Sequence, residues 1–267
     1  MQVEIRINMD NNSGNNSKNI SLYDKEINEL KEYLSSESCK CIKQLETDKH
    51  WEVTDRESLV LRSDMAYELG GGTNEAVSSI AFTTSGMCVD KDGVFLLGDD
   101  LPDISEDTSY ARLTFIRLDK NVVDTGNTQS LYGIFRAIDY VRYHTFPKGY
   151  MMRISSVRER EPVRVSKEAL SDGMTLAHIG SELINAYKKR KEVAAVQIYF
   201  ITEKEADYAY LRSKAHRLEQ ITGSLNHIFN GLVMDCSTCK SRELCDEIDG
   251  MKELHMESVR ENGINIV

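Results

Sequence analysis

At 267 residues, 40% hydrophobic and 28% charged, the chain has the make-up of one large globular domain or two modest ones. A formal net charge of −10 and an isoelectric point near 5.2 argue against nucleic acid or an anionic membrane surface as the main partner. No stretch approaches the ~20 consecutive apolar residues of a membrane-spanning helix.

Residues 1–8 alternate apolar and charged side chains, as a short strand or a frayed end would. Residues 9–19, rich in Asn and Ser, read as a linker, and the absence of an apolar run there points to a cytoplasmic location. The spacing of Leu22, Ile27, Leu30 and Leu34 predicts a helix over 21–34 with Ser21 as its cap. Cys39-Lys40-Cys41 follows, and residues 42–61, with the single tryptophan Trp51, read as a polar connector. The expected organisation is an N-terminal piece over 1–60, an α+β domain over 61–232 and a cysteine-rich segment over 233–267.

Strands are predicted over 65–69, ending in Gly70-Gly71-Gly72, and over 77–83. The turn pair Asp92-Gly93 then suggests a hairpin into a strand over 94–97. Residues 110–118 alternate most clearly. A helix capped by Asn127 or Thr128 carries Leu131, Ile134, Phe135, Ile138 and Val141 on one face, and Pro147-Lys148-Gly149 breaks it. Strands over 150–157 and 163–166 precede a second helix over 176–190. Its core face is Leu176, Ile179, Leu183, Ile184 and Tyr187, and its basic end suits the helix dipole. Residues 193–202 form an almost continuous apolar run, the pattern of a central strand buried on both faces. A third helix is expected over 203–221. The fold class is α+β: a mixed sheet with packed helices.

No lysine or serine follows the glycine triplet at 70–72 at phosphate-loop spacing and no helix follows directly, so it reads as a backbone turn. Arg153, Arg158, Arg160 and Arg164 could grip a phosphorylated cofactor. The glutamates between them favour a solvated edge of alternating charge. His178 reads as a surface or capping residue.

The specific signal is Cys236, Cys239 and Cys245, at C-x2-C-x5-C spacing. A two-residue gap lets two thiolates reach one ion or one cluster edge, so the triplet is read as three ligands of a metal site that usually needs four. His255, Cys39, Cys41 and Cys88 are the candidates for the fourth. Zinc and a four-iron cluster both suit thiolates, and the CKC pair has the form of a square-planar nickel or copper site.

With these segments in place, residues from about 65 to 245 resemble acetyl-CoA synthase, the β subunit of the carbon monoxide dehydrogenase/acetyl-CoA synthase complex. Tyr67-Glu68-Leu69-Gly70-Gly71 and Leu96-Leu97-Gly98-Asp99-Asp100-Leu101-Pro102-Asp103-Ile104 are similar to two of that family's stretches. So are Arg164-Val165-Ser166-Lys167-Glu168-Ala169, with Gly173 and His178-Ile179-Gly180, and Val196-Gln197-Ile198-Tyr199-Phe200-Ile201-Thr202-Glu203. They occur in family order.

The resemblance implies the family's middle-domain fold and a 4Fe-4S cluster with nickel beside it. It also implies dealings with coenzyme A, a corrinoid iron–sulfur protein or a carbon monoxide dehydrogenase subunit in C1 metabolism of the Wood–Ljungdahl type. By position, Cys236 and Cys239 match the first two cluster ligands. Cys245 stands for the third, across a gap of five residues that is shorter than the family's. The family's later Cys-Gly-Cys, which holds the distal nickel, has no counterpart in these residues. Two expectations follow. One is an acetyl-CoA synthase-like metalloprotein, an acyltransferase if active. The other is a non-catalytic accessory module whose cysteine site, as four cysteines or three plus a histidine, serves structure or docking.

Overall fold

The computed structural model describes residues 20–36, 42–55, 61–125, 128–153 and 159–229. In chain order its elements are α1 (Leu22–Ser35), β1 (Lys43–Leu45), β2 (Ala66–Leu69), β3 (Ala76–Thr83), β4 (Gly93–Leu97), β5 (Tyr110–Leu118), α2 (Lys120–Thr125) and α3 (Thr128–Arg142). Then come β6 (Tyr150–Met152), β7 (Val163–Ser166), α4 (Lys167–Ser171), α5 (Leu176–Lys188), β8 (Val193–Ile201) and α6 (Tyr208–Phe229). The architecture is α+β, as expected.

The apolar run at 193–201 becomes the middle of a five-stranded mixed sheet, ordered β1-β4-β8-β5-β3. Val196, Ile198, Phe200 and Ile201 are fully buried there, as a strand covered on both faces requires. β8 runs parallel to β4 and antiparallel to β5, and β3 runs parallel to β5. A second sheet, ordered β2-β7-β6, is antiparallel throughout.

Strand alternation assigns the covers. Val94, Ile198, Thr114 and Ile80 share one face through their register. α5 covers it where Gly180 meets Val94, and α3 where Phe135 stacks on Phe82 at 4.3 Å. On the other face Phe95 stacks on Tyr199 at 4.5 Å, and Lys31 of α1 reaches Gln197 at 2.6 Å. α6 packs along β3. Ile20, Tyr23, Ile27, Leu30 and Leu34, which precede the boundary expected near residue 60, belong to the same core as the sheet.

Several expectations are corrected. Strands 77–83 and 94–97 form no hairpin; β3 and β4 lie on opposite sides of the β8–β5 pair. The stretch between them is too long for a two-residue turn, and both strands bury side chains on both faces, so each needs an interior partner. Asp92 instead accepts the Val196 N–H at 2.8 Å. Ser21 does not cap α1 with its side chain, because its backbone is already helical. The polar connector contains β1, an edge strand on β4. The third helix starts at Tyr208 rather than 203, where the Asp207 carboxylate accepts the Tyr210 N–H at 2.9 Å, and it runs on to Phe229. The strand and linker expected over 1–19 lie outside the described residues.

Gly180 gives a test of the α5 seat. A Cβ there would lie 2.5 Å and 2.7 Å from the two Val94 γ-carbons. Valine in a strand has little χ1 freedom to yield. Gly180→Ala is therefore expected to lower stability by about 1–2 kcal/mol, overpacking outweighing the gain in helix propensity. Gly133→Ala on α3, where a Cβ meets nothing within 4 Å, is expected to raise it by about 0.5–1 kcal/mol. Denaturant midpoints of the two variants should shift in opposite directions.

Candidate functional site

The cysteine triplet is approached through α6. Leu211, Ala215, Leu218 and Ile221 recur at helical spacing and are buried, which fixes this helix against the body. Cys236, Cys239 and Cys245 follow its end and lie outside the described residues, as do His255, Cys39 and Cys41.

Cys88 is the one thiol described, and it is 3% exposed. It sits beneath α1, and its Sγ donates to Asn28 Oδ1 at 3.6 Å. Burial, and then the nearby Asp24 carboxylate, push this thiol above its ordinary range. That disfavours the thiolate a metal needs. Among the described residues, no group of three or more His, Cys, Asp or Glu side chains could hold a metal ion.

The described arginines of this segment are engaged by partners within the chain. Arg153 and Arg164 bind Glu68 at 3.0 Å and 2.6 Å, and Arg160 donates to the carbonyls of Gly70, Gly72 and Asn74. Arg158 lies outside the described residues. The reading of this segment as a solvated edge needs correction at Glu161, which is only 3% exposed. Its carboxylate lies 2.5 Å from the Arg112 guanidinium and 3.0 Å from that of Arg142, and it accepts hydrogen bonds from Tyr143 at 2.6 Å and Ser78 at 2.8 Å. Arg142 also meets Asp139 at 2.7 Å, so two guanidiniums face two carboxylates. Burial alone would push the Glu161 carboxyl up; Arg142 and Arg112 outweigh it and hold the group below its ordinary value. Beside this cluster the Tyr110 and Tyr150 hydroxyls meet at 2.8 Å. The cluster joins β3, β5, α3 and the residues leading into β7. Sequence reading missed it, although an arginine among Ala111, Leu113 and Phe115 was a signal.

The glycine triplet is a turn, as expected. Gly70 and Gly72 take φ values of 74° and 60°, which favour glycine. His178 is a capping residue: its Nδ1 accepts the Thr175 N–H at 3.1 Å, while the Thr175 hydroxyl accepts the His178 N–H at 3.4 Å. Trp51, tilted against the His178 ring at 5.0 Å, lines a cleft of about 600 Å3 with Lys148, Glu52, Glu168 and Asp172. A smaller cleft of about 360 Å3 lies between the glycine turn and Arg212. No described helix is long and apolar enough to cross a membrane.

These features define an α+β protein with a charged, internally neutralised core, whose last described helix leads toward a cysteine triplet. The model of one family, the CO dehydrogenase/acetyl-CoA synthase complex beta subunit, matches residues 55–206, more than half of the chain. The chain belongs to that family. The matched residues contain β2 through β8 and stop before α6 and the triplet. No curated protein matches the chain.

Proposed function

We propose that the chain is an acetyl-CoA synthase-related metalloprotein that carries an iron–sulfur cluster on Cys236, Cys239 and Cys245 and works beside a carbon monoxide dehydrogenase subunit or a corrinoid protein. The supporting observation is the family match over 55–206 in a chain that continues through α6 into three closely spaced cysteines. The donor set fits: thiolates select iron–sulfur clusters or zinc over hard cations, and three of the usual four ligands are present. With Cys88 enclosed beneath α1, His255, Cys39 and Cys41 are left for the fourth place.

When bound, such a cluster supplies one-electron chemistry, and nickel beside it would supply the carbon-bond-forming chemistry of acetyl-CoA synthesis. The chain's own contribution is a rigid platform. Arg112, Arg142, Glu161 and Asp139 neutralise one another in the interior and present no charge to a substrate. The second reading, an accessory module whose cysteine site serves docking, is the outcome if no iron–sulfur cluster is bound.

Anaerobic purification followed by metal analysis tests the first proposal. Brown protein with about four irons per chain is the expected result. Colourless protein with one zinc would leave only the accessory reading.

A further inference from the structure

Trp51, the single tryptophan of the chain, is held in place as a wall of the larger cleft. Its backbone N–H donates to Glu182 Oε1 at 3.1 Å, its indole Nε1 donates to the Lys148 carbonyl at 2.8 Å, and its ring tilts against His178 at 5.0 Å. A short pairing of 52–54 with 146–148 supports this arrangement. The Thr54 N–H donates to the Phe146 carbonyl and the Lys148 N–H to that of Glu52, each at 2.8 Å. With the indole nitrogen already bonded, the ring offers the cleft apolar surface and π electrons but no donor.

Gly149 brings α4 up to this wall. At φ 82° it comes so close that a Cβ there would lie 2.4 Å from the Ala169 Cβ. On either side of Ala169, one helical turn apart, Glu168 and Asp172 line the cleft with their exposed carboxylates. Glu52 adds a third carboxylate, and Lys148 supplies the one ammonium. The Lys148–Glu52 pair spans 2.8 Å with 61% and 66% of its side chains exposed, so it holds Lys148 only weakly. The remaining titratable group in the lining, His50, is engaged by Glu182 at 3.2 Å. Glu52 first, and then Glu168 and Asp172, hold the Lys148 ammonium above its ordinary range, so all three carboxylates act on a cation in the cleft.

The volume of about 600 Å3 suits a small organic group rather than a bare ion. Carboxylates that outnumber the ammonium three to one repel phosphate and carboxylate ligands. An organic cation satisfies both halves of the lining, the charge by Coulomb attraction and the aromatic wall by cation–π contact. We propose that this cleft binds an organic cation, an amine or guanidinium group, seated against Trp51 and paired by Glu168 and Asp172. Trp51 and Glu52 precede the matched residues 55–206 and the α4 carboxylates lie within them, so the site joins the two parts of the chain. The inference is independent of the cysteine triplet.

Because the chain has one tryptophan, the full-length protein gives one indole N–H resonance, and it reports on this cleft directly. The test follows that resonance while choline is added, and compares the uncharged alcohol in which carbon replaces the choline nitrogen. A saturable shift with choline is expected, with the uncharged isostere about tenfold weaker. Combining Glu168→Gln with Asp172→Asn, both at exposed positions, is expected to weaken choline about three- to tenfold. Agmatine and a blocked glycine-arginine-glycine peptide then distinguish a free amine from a protein side chain as the source; whichever binds more tightly names it. Equal binding of choline and its isostere would overturn the cation site in the wild type alone, whatever the variant does. So would the absence of a saturable shift with choline, agmatine and the peptide, or undiminished choline binding in a folded double variant.

Discussion

Glu161→Ala is expected to cost about 3–5 kcal/mol of folding stability, the range found when one partner of a buried ion pair is removed. Domains of ordinary stability have about 5–15 kcal/mol in total, so the variant should be marginal at 25 °C or fail to fold. The loss has three parts. The Arg112 and Arg142 guanidiniums keep only Asp139 as a carboxylate partner, the Tyr143 and Ser78 hydroxyls lose their acceptor, and a cavity opens between the sheets. Glu161→Gln keeps the volume and part of the hydrogen bonding, and should lose less.

The same group gives a pH signature. Glu161 is held below its ordinary value of 4.5, so in the folded state it releases its proton more readily than in the unfolded chain. Its contribution is therefore full above that ordinary value and is lost as pH falls through its depressed folded value. Urea midpoints measured from neutral pH downward should fall more steeply for the wild type than for Glu161→Gln. Parallel curves would show that the cluster does not depend on this ionisation.

The second large effect concerns metal. Cys236→Ala is expected to reduce bound iron from about four per chain to none, because losing one thiolate of a C-x2-C pair leaves too few ligands to hold a cluster. Cys88→Ala is expected to keep its iron and lose only about 1–2 kcal/mol of stability, through a vacated core position. The contrast separates a ligand from a buried thiol, and metal analysis of the two variants purified together reads it directly. Loss of iron in both would make Cys88 a ligand and would require α1 to open.

How far the structure could be read in advance differs element by element. β8 and α5 were plain in the sequence because an unbroken apolar run and a single apolar stripe each admit one environment. β1 was not, since its three residues show no alternation and take their order from β4. Strand partners were also hidden: Asp92-Gly93 has hairpin chemistry, yet β4 pairs with a strand a hundred residues later in the chain. Local turn signals report a bend and say nothing of which strand lies alongside.

The charged core was the hardest to see. Arg112 and Glu161 are 49 positions apart, and Glu26 and Lys214 are 188 apart. Nothing local tells an inward arginine from a solvated one. The cysteine triplet shows the reverse. Its spacing is legible in the sequence alone, while contacts such as those between α1 and α6 emerge only when distant segments are brought together.

The proposed function places an iron–sulfur cluster on Cys236, Cys239 and Cys245 of a chain of this beta-subunit family. X-ray absorption at the iron and zinc edges of the anaerobically purified full-length chain tests it most directly. The expected result is iron in a sulfur-dominated shell with a short iron–iron vector. A zinc signal at about 2.3 Å from sulfur with no iron, as in a structural zinc site, would contradict it.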